Sequence, residues 1–257
     1  MKKQLIKILA VAAIVLLPSL AWGQAKVYTK KARMADFPTA TTKVVLSGES
    51  LLDLAFRDVV VSRWNVSPYE FCTPDEYRAL KTSNSYYFLS LALDEGVMFM
   101  VLEKGGAEGE QNMLKIPFEV VRVPVAAQGA VTGLEFGFLG AFLDIVQQFA
   151  MESLNSDRVG YTGIGTYNGK DLRGMKIILD LDRAGSALED AEPNTLAAII
   201  IAPLEVSFKT WCYKMLINTE THELYYYTRA RFNGPSDAKF SDKEIKQFDK
   251  RHATIIR

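Results

Sequence analysis

The clearest helical period near the start of the chain runs over residues 48–64. Leu51, Leu52, Ala55, Phe56, Val59 and Val60 recur on one face there, while Asp53, Arg57 and Asp58 fall away from it. A short apolar strand at 44–46 precedes this helix, and a strand at 66–72 follows it. Thr73, Pro74 and Glu76 then spell a capping box with proline in the first turn, which starts a short helix ending near Lys81. Residues 86–93 are apolar on both faces, the mark of an interior strand covered on two sides. Asp94, Glu95 and Gly96 turn the chain, and 97–102 runs back as a hairpin partner.

Further on, 104–111 reads as a glycine-rich acidic loop. Residues 116–125 read as another strand, with Pro117 and Pro124 marking its ends or a sheet edge. The longest periodic run is 135–154. Phe138, Leu139, Phe142, Val146, Phe149 and Ala150 form its buried stripe, and Asp144, Gln147, Gln148 and Glu152 its wet side. Strands follow at 175–181 and 196–202, separated by a polar stretch read as a loop with one helical turn. A last hairpin spans 211–231, and a second capping box at Ser241 and Glu244 opens a C-terminal helix. No internal repeat is visible. Strands that alternate with helices but also form hairpins at 86–102 and 211–231 predict an α/β (α+β) domain: a single mixed β-sheet with helices packed on it.

The amino terminus changes the picture. Lys2, Lys3 and Lys7 precede an apolar run at 8–17, and Ala21-Trp22-Gly23 supplies small residues for cleavage. The run is shorter than the ~20 residues of a membrane span. Residues 1–23 are therefore expected to be a signal peptide, 24–42 an extended lead-in and 43–257 a single domain. The expected address is periplasmic, with secretion as the alternative and no transmembrane anchor. Gln24 stands where a lipoprotein would carry cysteine. Setting aside the three leader lysines leaves 27 basic residues against 30 acidic, a net charge of minus three that speaks against nucleic acid as a partner.

Two cysteines, Cys72 and Cys212, each sit beside an aromatic residue. Export permits a disulfide between them; two buried free thiols are the other reading.

Residues 25–46, the Arg-Trp-Asn-Val-Ser-Pro-Tyr-Glu-Phe-Cys run at 63–72, and the segments 212–217 and 221–226 resemble an uncharacterised exported protein family of Bacteroidetes. The resemblance implies a cell-envelope setting and no particular chemistry. The order of elements also resembles, at the level of fold, the TolB amino-terminal domain and the curli-secretion lipoproteins, α/β modules that bind partners. His222 stands where such hairpins often carry glycine, and the lipid-anchoring cysteine is absent.

Candidate chemistry is sparse. The only histidines are His222, at a predicted turn, and His252. A zinc site needs three or four ligands, so neither a metal nor a cofactor is expected. The stretch 160–169 carries four glycines with Tyr161 and Tyr167, suited to close ligand approach and ring stacking, or to a plain surface connection. Asp180 and Asp182, two apart at a strand end, could share a face. Tyr225 and Tyr227 would lie on the wetter face of the last hairpin, where a partner could use them. The leading expectation is a non-catalytic binding or assembly module with an envelope protein as partner. The alternative is a hydrolase of envelope material using Tyr161, Tyr167 and the two aspartates.

Overall fold

The computed structural model describes residues 30–48, 50–106, 118–129, 134–207 and 209–256. The expected signal peptide, the first residues of the lead-in and most of the acidic loop after Lys104 lie outside them. Within them the chain is α/β, but its ten strands form two mixed five-stranded sheets where the hydrophobic pattern predicted one.

The first half begins with α1 (Lys30–Arg33) and a chain of turns, where an extended lead-in was expected. Met34 and Phe37 are fully buried, so this segment belongs to the core. Lys104 fixes it in place: its ammonium lies 2.8 Å and 3.0 Å from the two carboxylate oxygens of Asp36 and donates to the Arg33 carbonyl at 2.7 Å. There follow β1 (Thr41–Val45), α2 (Ser50–Arg63), β2 (Tyr69–Cys72), α3 (Pro74–Leu80), β3 (Tyr86–Asp94), β4 (Val97–Lys104) and β5 (Phe118–Ala127). The strand order is β2-β1-β3-β4-β5, parallel for the first two pairings and antiparallel for the rest. The capping box at Thr73 and Glu76 forms as the sequence predicts. Leu51, 78 % exposed, lies on the outer side of α2 with Leu54 and Val61, so the buried face is narrower than the apolar pattern suggested.

The second half runs from α4 (Leu134–Asn155) through α5 (Asp157–Thr162), a 3-10 helix (Gly163–Gly169), β6 (Lys176–Ile178), α6 (Leu181–Glu189), β7 (Thr195–Ile201), β8 (Trp211–Asn218), β9 (Leu224–Arg231), α7 (Asp242–Lys250) and β10 (Thr254–Ile256). Its sheet is ordered β10-β6-β7-β8-β9, again two parallel pairings followed by two antiparallel ones. The two sheets therefore share one plan. The edge strand beside the first strand arrives second in one half and last in the other, so a linear search for a repeat does not reveal it.

Helix α4 joins the halves. Phe138, Leu139, Phe142, Leu143, Ile145, Val146 and Phe149 are buried around nearly its whole circumference. They share one core with Val44, Leu89, Met100 and Val123 of the first sheet and Ile199, Met215 and Ile217 of the second. Gln147, expected on the wet side, is buried: its carbonyl accepts from the Asn65 amide at 2.9 Å and its amide donates to the Arg63 carbonyl at 3.2 Å. No helix among the described residues is long and apolar enough to cross a membrane.

A second, smaller core on the far face of the second sheet holds Leu172, Ile177, Leu196, Leu216, Phe240 and Phe248 under α7. Lys214 is buried there and reaches Glu244 at 2.9 Å. Burial alone would raise the Glu244 carboxyl. The Ser241 hydroxyl and amide and the Lys214 ammonium outweigh it and hold the group below the ordinary glutamate range. A depressed folded-state carboxyl adds stability that is present above the unfolded glutamate range, near about 4.3, and is lost as the pH falls. Removing one member of a buried pair strands the other, so Glu244→Gln should cost about 3–5 kcal/mol in a denaturant melt at neutral pH. It should also flatten the loss of stability on acidification. Replacing Lys214 by Met in the same chain should restore much of that loss. A single variant as stable as the wild type would remove this latch from the account.

Candidate functional site

The β3–β4 turn and the β7–β8 loop meet across the two sheets and enclose an open cleft of about 400 Å³. It is lined by Glu95, Gly96, Gln128, Pro203, Leu204, Glu205, Ser207 and Thr210. Glu95 (φ +46°) and Gly96 (φ +79°) are both left-handed, as a two-residue type I′ hairpin requires. Glycine is expected at the second of these positions; at the first, a glutamate is held against its own preference. A side chain on Gly96 would also press on Pro203, at 3.3 Å from its Cβ. Leu204 is 65 % exposed at the cleft wall. The Thr210 hydroxyl accepts from the Ser207 amide at 3.1 Å and lies 3.0 Å from the Ser207 carbonyl and 3.2 Å from the Phe232 carbonyl, so it ties the loop to the residue after β9. The lining offers two carboxylates, an amide and an apolar wall, a set suited to recognition.

Beyond Thr210 the wall continues as a ladder of aromatic rings and arginines. The Arg122 guanidinium lies over Phe99, which meets Tyr213 edge to face at 5.3 Å between centroids. Arg229 lies 3.9 Å from the centre of Trp211 and Arg231 5.4 Å from it. Arg122 is paired with Asp94 at 2.7 Å and Glu119 at 2.9 Å. Arg229 has no carboxylate partner among the described residues and is exposed, as is Arg231. Burial pushes the Tyr213 hydroxyl up, although Arg229 and Arg122 pull it the other way.

None of the sequence-predicted site residues lines this cleft. The stretch 160–169 is not a loop but the end of α5 and the 3-10 helix. Tyr161 is 64 % exposed, whereas Tyr167 is buried and donates to Glu152 of α4 at 2.9 Å. Asp180 is the N-cap of α6, accepting the Arg183 amide at 2.9 Å, and Asp182 lies in that helix's first turn. Two acids at a helix N-terminus have an ordinary structural role. The polar stretch read as a loop is thus a helix, its apolar face reduced to Ala184, Ala187 and Leu188.

Tyr225 and Tyr227 do not share a face. A bulge sets Leu216 opposite Tyr226 and Ile217 opposite Leu224, skipping Tyr225. Tyr225 consequently packs with Tyr226 on the α7 side, and Tyr227 on the main core. Burial pushes the Tyr227 hydroxyl up to about 12. The Asn168 side chain also clamps the Tyr227 backbone, donating to its carbonyl at 2.8 Å and accepting its amide at 2.7 Å.

The Cys72–Cys212 bond is not formed. Cys72 lies on the edge strand of the first sheet, Cys212 lies in the interior of the second, and both thiols are free. Burial pushes the Cys212 thiol up to about 11, away from the reactive thiolate.

One polar cluster escaped the sequence reading. Asp144 accepts from Arg63 at 2.9 Å, lies 2.6 Å from His222 Nδ1, and accepts from Gln147 at 3.2 Å on its other oxygen. It fastens the β8–β9 turn to α4 and α2 with its lone pairs occupied from three sides. The helical wet face signalled Asp144, but nothing local linked it to a histidine 78 residues on. No grouping of three or more His, Cys, Asp or Glu side chains able to hold a metal ion occurs among the described residues.

No family model, curated protein or solved structure matches the chain.

The Asn168 clamp is directly testable. Asn168→Ala removes both contacts to Tyr227 and should cost about 1 kcal/mol, a typical net hydrogen-bond contribution. Amide exchange at Tyr227 should quicken while that of Met215 opposite it stays slow. An unchanged Tyr227 rate would mean that the edge is closed by something else.

Proposed function

We propose that the chain is an exported protein of the cell envelope that works as a non-catalytic binding or assembly module. The observation that carries the reading is the surface beside the cleft. An exposed arginine stacked on Trp211 with no carboxylate partner among the described residues, together with an exposed Leu204, is the equipment of a recognition surface. Exposed Arg with aromatic neighbours is enriched where proteins bind one another. The envelope address rests on the basic and apolar leader, and an envelope protein is the partner class that goes with it. The hydrolase alternative asks Tyr161, Tyr167 and an aspartate to serve one site. Tyr167 is already bonded inward to Glu152, and Asp180 already caps a helix.

One preparation from the envelope fraction tests both halves of the reading. Intact mass should place the first residue of the mature chain at or near Gln24, and crosslinked pull-down should retain a defined envelope protein at stoichiometric yield. A chain that keeps Lys2 and Lys3 would contradict the export step, and a pull-down indistinguishable from a bead control would contradict the module.

A further inference from the structure

We propose that the chain pairs with a second copy of itself through the free edge of β2 and the outer flank of α2, so that two five-stranded first sheets join into one about a two-fold axis. The proposal goes beyond the envelope-module reading and does not depend on it.

The strand supplies the first half of the argument. β2 is the last strand of its sheet. It pairs in parallel with β1, where the Thr42 amide donates to the Pro68 carbonyl and the Leu46 amide to that of Cys72. Backbone groups alternate along a strand, so Glu70 also faces β1, while Tyr69 and Phe71 turn their N–H and C=O groups outward. These outward groups have no backbone partner among the described residues. An antiparallel copy set with Tyr69 opposite Phe71 satisfies all of them, because residues in a hydrogen-bonded pair exchange both their bonds. Centring the pair on either residue would match only that residue with its own copy. The chosen register also joins the edge-to-face Tyr69–Phe71 pair, 5.7 Å between centroids, to its copy as a cross-strand aromatic cluster.

The helix supplies the second half. α2 is the crossover between β1 and β2, and Arg57 lies over the Phe71 ring at 4.7 Å, which puts that flank of the helix beside the free edge. Leu54 and Val61, 57 % and 59 % exposed, are two turns apart and stand on the same flank. Strands pair at about 4.8 Å, so two helices that each overlie their own β1 and β2 come about 10 Å apart across the joined edge, the spacing of packed helices. In an antiparallel helix pair centred between residues 57 and 58, Leu54 meets Val61 of the second copy, and Arg57 comes within reach of Asp58 of the second copy. Arg57 and Asp58 are exposed, and neither has a carboxylate or cationic partner among the described residues. Arg57 sits over Phe71, one residue from the strand's own centre at Glu70, so one axis serves strand and helix alike. An isologous contact requires this self-complementarity. An unrelated extended segment would use the strand edge but would have no such match to α2. On the opposite face the register sets Glu70 against Glu70 of the second copy, each held by its own Lys43. Like charges directly opposite weaken a pair, so the contact is reversible and tightens when Glu70 loses its charge.

Sedimentation velocity on the purified chain across a concentration series should show a monomer–dimer equilibrium. Glu70→Gln should tighten it. Leu54→Glu should weaken it about tenfold or more, since a carboxylate would be buried against Val61. Both positions are exposed in the single chain, so melting curves at low concentration should stay unaltered. Glu70→Cys reads the register. A non-hydrogen-bonded antiparallel pair holds its Cα atoms about 4.5 Å apart, within disulfide range, so oxidised glutathione should yield a covalent dimer. Lys246→Cys, exposed on α7 of the other half, should not. A chain that stays monomeric throughout, with Glu70→Cys linking no better than Lys246→Cys, would overturn the second copy as occupant, even if the same edge captured an envelope protein. A dimer indifferent to both Glu70→Gln and Leu54→Glu would overturn this edge as its seat. If the dimer behaves as expected while no envelope protein is retained in the pull-down, the pairing stands and the module reading falls.

Discussion

The packing of α4 against both sheets is the constraint from which the rest of the structure follows. A helix that is apolar around most of its circumference cannot sit on a surface. Its Phe142, Val146 and Phe149 are buried in one core shared with strands of both sheets, and α2, α5 and α6 pack against the helix. Neither half of the chain encloses the helix alone. The two similar sheets are held at a fixed relation by the same side chains, and the cleft between the β3–β4 turn and the β7–β8 loop exists only because of that relation.

Around this apolar centre, buried polar groups fix the peripheral pieces. Lys104 and Asp36 hold the first turn of the described chain, Asp144 holds the β8–β9 turn, and Lys214 with Glu244 holds α7. Each pair joins elements far apart in sequence, and in the Lys214–Glu244 pair, buried on both sides, removing one partner would leave a desolvated charge. Asn168 does the same work with a neutral amide at the edge of β9. Its two contacts close the outward backbone groups of Tyr227.

Local signals were legible wherever chemistry and period agreed. The capping boxes at Thr73 and Ser241 form as read, the strand at 86–93 is the central strand of its sheet, and the long helix ends within a residue of its predicted bounds. The number of sheets was not legible. Strand periodicity records which faces are covered, not which strands are neighbours, and two sheets built on one plan look like a longer single one. Helix α6 was missed because its apolar face is mostly alanine. Tyr225 and Tyr227 were misplaced because one bulged residue reverses every side chain beyond it. Trp211 and Arg229 meet within the one hairpin β8–β9, but the surface ladder was invisible in the sequence, since Arg122 and Phe99 join them only when the two sheets come together.

Native-state hydrogen exchange tests the shared core most directly, in the wild type and in Phe142→Ala. If α4 serves both sheets at once, the slowest amides of Leu89 and Met100 in the first sheet and of Ile199 and Met215 in the second exchange through one common opening. The substitution should then lower the protection of all four together by about 3–5 kcal/mol, the usual range for truncating a buried phenylalanine. Loss of protection in one sheet with the other unmoved would contradict the account and make the halves independent units.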